Sequence, residues 1–255
     1  MTPDMDPTHV RDDKSRQPHV VLDAPSRVLK AKKIIEIVGA ERFARARRIL
    51  EIGCGSGVIA HTLAELGGPG LEVFAVDVAD NRLVHDGYAF ARVGGTTLPF
   101  DDGMFDIVIT NHVIEHVGEA RDQLHHLEEI RRVLARDGVT YLAVPNTYRL
   151  VEPHFRLPLL SWLPASLADR YVRATGRGTY YDCVPLAHGE AIALFDRGGF
   201  HSQDMTVEAL RTTLALEFPR SRIATWIRTH VPSAAIALGM EIMPTFVFLL
   251  KPKTP

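Results

Sequence analysis

The chain has 255 residues, 46% of them hydrophobic and 24% charged, which suits one globular domain with a large core. Its formal net charge of -2 at pH 7 lacks the basic excess typical of nucleic-acid-binding or polybasic membrane-binding proteins. The two cysteines, Cys54 and Cys183, match no metal-binding spacing and cannot form a disulfide framework, which favours a reducing, cytoplasmic compartment.

The amino-terminal segment differs in composition from the rest of the chain. Residues 1–20 are polar and rich in Asp and Pro, which predicts a flexible tail without the apolar stretch of a signal peptide. We expect residues 21–255 to form a single domain. Apolar residues recur at helical spacing between Ala24 and Arg48, which predicts a leading helix. No uninterrupted apolar stretch reaches the length of a transmembrane helix.

Strand and helix patterns then alternate. Five short apolar runs predict strands: RRILEIG (47–53), LEVFAVD (71–77), YAFARV (88–93), MFDIVITN (104–111) and VTYLAVPN (139–146). Helical patterns lie between them: SGVIAHTLAEL (56–66), a short DNRLVHDG (80–87), and a longer one from Ala120 that ends at Gly138. This alternation predicts a parallel sheet with right-handed crossovers.

The alternation stops after Asn146. Residues 147–187 are rich in Pro and aromatic residues, and they leave the carboxyl end of the fifth strand, so we expect them to cap a site there. A helix at 187–200, a sixth strand within 201–210, a second cap segment at 211–243 and a last strand at 245–253 follow. The predicted fold is therefore α/β: a Rossmann-like, doubly wound, seven-stranded sheet, mostly parallel with an antiparallel last strand, and a substrate-capping insertion.

The first strand-to-helix turn, GCGSG, carries the densest glycine cluster. Glycines let the backbone turn tightly and let a ligand approach closely, next to the free N–H groups of a helix start. A nucleotide-phosphate loop would need a Lys after the glycines, and a dinucleotide fingerprint would need Gly or Ala where Val58 stands. The observed register is G-x-G-x-G with Glu51 upstream. Asp77 closes the second strand, where a carboxylate can accept both hydroxyls of a ribose.

Four ordered segments carry a family resemblance: ILEIGCGSG, VFAVD, LPFDDGMFDIVITNHVIEHV and EEIRRVLARDGVTYLAVPN. In order and spacing they resemble the motifs of class I S-adenosylmethionine-dependent methyltransferases, especially the ubiquinone and menaquinone biosynthesis methyltransferases. The resemblance covers about residues 45–147. It implies S-adenosyl-L-methionine as cofactor, S-adenosyl-L-homocysteine as product and methyl transfer to a small molecule.

The resemblance also assigns residues to the cofactor. The implied cofactor-binding residues are Glu51, Gly53, Cys54, Gly55, Gly57, Asp77, Val78, Gly95, Thr96, Asn111 and His112. One position departs from the family pattern, because Gly94 and Gly95 stand where members often carry an Asp-Ala pair whose Asp accepts the adenine amino group. We therefore expect backbone groups around 94–96, or apolar stacking, to hold the adenine.

Histidines dominate the candidates for a general base. Deprotonating an acceptor hydroxyl requires such a base near the cofactor. The candidate catalytic residues are His112, His116, His154 and Tyr181. In the ubiquinone O-methyltransferases a similar E-x-x-E-H motif binds a divalent ion. The resemblance therefore offers His112, Glu115 and His116 as an alternative set of metal ligands. We expect no metal there and interpret HVIEH as a structural turn beside the pocket, because His112 replaces the first Glu.

The expected function is O-methylation of a hydroxyl in a quinone, secondary-metabolite or glycan pathway. The alternatives are C- or N-methylation of a small or lipid-like molecule, and a non-catalytic, cofactor-binding partner subunit. A nicotinamide-dependent oxidoreductase is disfavoured by the loop register. The expected partner is a small-molecule acceptor, without nucleic acid or membrane. The apolar stretch 224–250 is compatible with the surface of a homodimer interface.

Overall fold

A seven-stranded sheet forms the centre of the protein. The computed structural model describes residues 23–152 and 154–253, so the predicted tail at 1–20 lies outside the described residues. The central strands are β1 (Arg48–Ile52), β2 (Glu72–Asp77), β3 (Ala89–Arg92), β4 (Phe105–Asn111), β5 (Leu134–Pro145), β8 (Phe200–Asp204) and β9 (Thr245–Pro252). The strand order in this sheet is β3-β2-β1-β4-β5-β9-β8. Strands β1 to β5 pair in parallel, whereas β9 runs antiparallel to its neighbours, β5 and β8. The predicted fold class is confirmed.

Helices cover both faces of the sheet. They are α1 (Ala24–Val38), α2 (Ala40–Arg45), α3 (Val58–Leu66), α4 (Ala120–Val133), α5 (Ala165–Ala174), α6 (His188–Arg197), α7 (Thr206–Glu217), α8 (Arg222–His230) and α9 (Ser233–Ala237). Apolar side chains of α1, α3 and α7 pack on one face, and those of α4 and α6 pack on the other. The chain thus forms three layers, and the strand order reverses between β1 and β4, where ligands bind in such sheets.

Four predicted elements need correction. The leading helix breaks at Gly39, whose φ of +97° separates α1 from α2. The segment 80–87 is not helical, because its Leu83 N–H donates to Ser56 O in the glycine loop rather than within a helix. Helix α4 ends at Val133 instead of Gly138, since Leu134 is extended and pairs with Phe105. The sixth strand spans only 200–204, and α7 begins at Thr206.

The first cap segment, residues 147–187, folds into a small unit of its own. A short hairpin, β6 (Val151–Glu152) with β7 (Leu157–Pro158), precedes α5. Apolar side chains in it form a separate buried cluster: Phe155, Leu157, Leu160, Ala168, Val172 and Cys183. The backbone N–H of Val184 donates to the carbonyl of Glu115 (2.7 Å), which fixes the end of this segment beside the turn after β4.

Helices of the second cap segment, 211–243, lie between β8 and β9 in the chain. They include the end of α7, then α8 and α9. Within the described parts of the chain, no helix combines the length and apolar character needed to cross a membrane.

Candidate active site

The turn between β1 and α3 forms the floor of the site. Gly53, Gly55 and Gly57 all adopt positive φ, at +72°, +52° and +76°. This left-handed conformation is costly for residues with a Cβ. A Cβ on Gly53 would lie 2.5 Å from Val113 Cγ2, and one on Gly57 would lie 2.1 Å from the Tyr88 hydroxyl. Backbone conformation therefore favours glycine at all three positions, and close packing adds to this at Gly53 and Gly57.

Asp77 faces this loop from the end of β2. Its Oδ2 accepts the Gly55 N–H (2.8 Å), and its Oδ1 accepts the Ala79 N–H (3.2 Å). A carboxylate offers about four acceptor lone pairs, so these two bonds leave capacity for two further donors. The side chain is only partly buried. Asp77 thus holds the loop and can still receive the hydroxyls of a ribose.

Glu51 is buried beneath the loop, with 2% of the residue exposed. Burial raises the pKa of its carboxyl group to about 8, although a hydrogen bond from the Ala60 backbone and the charge of Arg27 oppose that shift. Its Oε2 has no hydrogen-bond partner among the described residues. The site therefore contains a buried acid that is mostly protonated at neutral pH and that a bound cation would ionise.

The end of β4 contributes Asn111 and His112. His112 has a φ of +59°, and its backbone N–H donates to Ala143 O (2.9 Å), so the chain turns sharply here. The turn brings His112 Nδ1 to 3.4 Å from Oε1 of the fully buried Glu115. Burial lowers the pKa of the His112 imidazole, although Glu115 acts in the opposite direction. A neutral imidazole beside a carboxylate suits proton abstraction at neutral pH.

The other two candidate histidines meet at the boundary between this turn and the first cap segment. The rings of His116 and His154 pack edge to face with centroids 5.1 Å apart. His154 Nδ1 lies 2.8 Å from Glu152 Oε1. The hydroxyl of Tyr181 is buried without a hydrogen-bond partner in the described residues, and burial raises the pKa of its phenol. A raised pKa makes Tyr181 a poor proton acceptor at neutral pH.

The remaining cofactor candidates lie around the loop and the β3 end of the sheet. Cys54 is buried, and burial raises the pKa of its thiol. Val78 follows Asp77, and its carbonyl accepts a hydrogen bond from the Arg92 side chain (2.9 Å). Gly95 is exposed and Thr96 partly buried, on the connection from β3 to β4. Their assignment to the cofactor remains a prediction.

Helix α1 contributes cations that the sequence analysis did not identify. Arg27 interacts electrostatically with Glu51, and Lys30 with His112. Burial, together with neighbouring Lys33, lowers the pKa of Lys30 to about 7. Arg27, Lys30 and Lys33 recur every third position along this helix. That spacing was the available signal, but it is equally typical of a solvated helix face.

The residues of the site fit the S-adenosylmethionine that the resemblance implies. The left-handed glycines leave a backbone surface without side chains, Asp77 retains acceptor capacity, and the orphaned Oε2 of Glu51 suits a cationic group. A cofactor that carries an ammonium, a sulfonium and a ribose diol has the complementary chemistry.

Comparisons with known proteins agree with this arrangement. A family model described as a methyltransferase domain matches residues 50–142. The ubiquinone biosynthesis O-methyltransferase of Schizosaccharomyces pombe is 33% identical over 127 residues, covering 44% of this chain and 45% of that protein. The chain thus spans about half the length of the curated relatives it matches.

Two solved structures share the fold at low sequence identity. A S-adenosylmethionine-dependent methyltransferase from Aquifex aeolicus has a TM-score of 0.51 and 17% identity, covering 71% of this chain and 86% of that one. The [4+2]-cyclase SpnF has a TM-score of 0.54 and 15% identity, covering 94% of this chain and 86% of that one. Because proteins described as a methyltransferase and as a cyclase share this architecture, the reaction must be argued from the site.

Proposed function

Since this chain belongs to the class I S-adenosylmethionine-dependent methyltransferases, we propose that it methylates a hydroxyl oxygen of a small-molecule acceptor. The observation that carries the proposal is the meeting of three groups at the switch point between β1 and β4. These groups are the glycine loop, the Asp77 carboxylate and the His112–Glu115 pair. The name of the S. pombe relative, an O-methyltransferase, supports oxygen as the acceptor atom.

Each group has a distinct task in this proposal. The bound cofactor supplies the electrophilic methyl group. The loop 53–57 and Asp77 hold the cofactor. His112 Nε2 accepts the proton that the acceptor hydroxyl loses, because Nδ1 faces Glu115. Glu115 orients the imidazole and stabilises its protonated form. The cap segments, 147–187 and 211–243, exclude water and position the acceptor. Residues of these segments therefore determine which acceptor is bound.

The first test concerns the cofactor and needs no acceptor. Replacing Asp77 with alanine is expected to weaken S-adenosylhomocysteine binding by about 1–3 kcal/mol, because ribose hydroxyls lose a charged acceptor. The loop also loses its bond from Gly55 to Asp77. Isothermal titration calorimetry measures the difference. Asp101→Ala, at an exposed carboxylate on the β3–β4 connection, is the control. Equal affinity in the Asp77 variant and the wild type would remove Asp77 from the cofactor site.

The second test follows the proton on Glu51. With a pKa of about 8, this acid is mostly protonated at pH 7, and an adjacent cofactor cation favours its ionised form. S-adenosylmethionine binding at pH 7 is therefore expected to release a large fraction of one proton. Calorimetry in two buffers of different ionisation enthalpy detects this proton release. The Glu51→Gln variant should not release the proton.

The same group sets a pH dependence of stability in the cofactor-free protein. The folded pKa of about 8 lies above the ordinary value of 4.5, so the folded state binds more protons between those values. Unfolding free energy should therefore fall as the pH rises from 4.5 towards 8, and less so in Glu51→Gln. Proton uptake on cofactor binding, or identical pH profiles for both proteins, would contradict this role for Glu51.

A second candidate, a non-catalytic partner subunit, is favoured by one observation only. Gly94 and Gly95 offer no acid for the adenine, and a Cβ at either would meet no atom within 4 Å. Tight cofactor binding without turnover of any hydroxylated acceptor would support it over methyl transfer.

A further inference from the structure

Three potential metal ligands converge from distant parts of the chain. His116 lies in the turn after β4, whereas His154 and Cys183 lie near the two ends of the first cap segment. One ring nitrogen of each histidine and the Cys183 Sγ all lie within 4.8 Å of one another. Cys183 Sγ is 3.6 Å from His116 Nδ1 and 3.9 Å from His154 Nδ1. No sequence motif joins these residues.

The spacing matches that of ligands around a tetrahedral transition metal. Zn–S and Zn–N bonds of about 2.3 and 2.1 Å at a tetrahedral angle place sulfur and nitrogen about 3.6 Å apart. The separation between Cys183 Sγ and His116 Nδ1 equals this value. The ligand nitrogen of His154 lies within 4.8 Å of both atoms.

Buried carboxylates stand behind both imidazoles. Glu152 lies 2.8 Å from His154 Nδ1, and Glu115 lies 3.9 Å from His116 Nε2. Metal-bound histidines commonly donate their other ring N–H to a carboxylate, which fixes the tautomer. The Glu152 contact has hydrogen-bond length, whereas 3.9 Å between Glu115 and His116 is too long for a hydrogen bond. With Nδ1–H donated to Glu152, His154 presents Nε2 as its ligand atom, while His116 presents Nδ1.

Glu115, which also faces His112, is a second observation beside the three ligands. The residue is fully buried, and neither carboxylate oxygen has a hydrogen-bond partner among the described residues. The basic groups printed nearest to it are His112 Nδ1 at 3.4 Å and His116 Nε2 at 3.9 Å, and an imidazole is charged only when protonated. A buried carboxylate that faces neutral imidazoles is strongly unfavourable. A divalent ion near His116 would balance the charges of Glu115 and of a Cys183 thiolate.

We propose that His116, His154 and Cys183 bind one zinc ion, with the fourth position open to water or another oxygen ligand. Thiolate and imidazole donors select zinc over magnesium. Binding would release the Cys183 thiol proton to solvent. The ion would tie both ends of the first cap segment to the turn after β4. This site differs from the alternative set His112, Glu115 and His116 in using a thiolate and two cap residues.

Cobalt substitution tests the site without reference to methyl transfer. The full-length chain, freed of metal, is titrated with Co²⁺, whose thiolate complexes absorb by sulfur-to-metal charge transfer in the near ultraviolet. We expect one equivalent to bind with this band. Cys183→Ser should abolish the band, whereas Cys54→Ser, at the other buried cysteine, should retain it. His154→Asn and His116→Asn should each weaken Co²⁺ binding more than about tenfold.

Two outcomes overturn the proposal: wild-type protein that takes up no Co²⁺ or shows no thiolate band, or a band that persists in Cys183→Ser. If the serine variant does not fold, the wild-type titration and the two histidine variants decide. Zinc should also raise the thermal midpoint of the wild-type chain by mass action. S-adenosylhomocysteine titrations of the same samples test the proposed function separately, because the proposed site for that ligand is at Asp77.

Discussion

Replacing His112 with asparagine is expected to lower the rate of methyl transfer about 10²- to 10⁴-fold, the range that a lost general base produces. Asparagine is chosen because His112 has a φ of +59°, a conformation that Asn tolerates better than most residues. The variant thus removes the imidazole without straining the turn. Methylation of a panel of catechols and hydroxybenzoates, followed by mass spectrometry, measures the rate, and affinity for S-adenosylhomocysteine should change little.

The pH profile distinguishes a base from a merely structural histidine. Burial lowers the pKa of His112 below 6.5, so the wild-type rate should be constant at neutral pH and fall only on stronger acidification. The residual rate of His112→Asn should not show this fall at acidic pH, because an amide does not titrate there. His125→Asn, on the exposed side of α4, is the matched control. Full turnover by His112→Asn would remove the base role from His112.

The part of the site that rests on local patterns was predictable from sequence. The apolar run before GCGSG becomes β1, and Asp77 ends β2 beside the loop, as the spacing indicated. Such features depend on a strand period and on glycine's backbone freedom, both of which are written within a few neighbouring residues.

The segment 80–87 shows where local patterns fail. Its residues suit a short helix, yet Leu83 and Val84 both donate their backbone N–H groups to Ser56 O, and Arg82 packs over the Phe90 ring at 3.8 Å. These partners lie outside the segment, so tertiary contacts override the local preference.

The proximity of His116, His154 and Cys183 could not be predicted from the sequence, for a related reason. His116 and Cys183 are 67 positions apart, and their contact depends on the path of residues 147–187. Sequence analysis identified His116 and His154 as candidate bases from residue type and from their positions after the predicted fourth and fifth strands. It could not identify Cys183 as their neighbour or Glu152 as the group behind His154, because no periodicity connects a hairpin to the turn after another strand.

Glu152 is expected to have the largest effect on stability. It forms a buried ion pair with Arg149, whose side chain is 3% exposed, while that of Glu152 is fully buried. Its oxygens also lie 2.8 Å from His154 Nδ1 and accept the Phe155 N–H at 2.7 Å. Glu152→Gln keeps the volume but leaves the Arg149 charge uncompensated. Removing one partner of such a pair costs about 3–5 kcal/mol. Urea denaturation measures this loss as a lower midpoint.

An exposed ion pair gives the matched control. Glu72 pairs with Arg48 at 2.9 Å, but both side chains are about half exposed, so Glu72→Gln should cost at most about 1 kcal/mol. The double variant Arg149→Met with Glu152→Leu should recover much of the loss, because no buried charge remains unpaired. If Glu152→Gln costs no more than Glu72→Gln, the ion pair does not hold the hairpin of the cap. His154 would then owe its position to the apolar cluster around Phe155 instead.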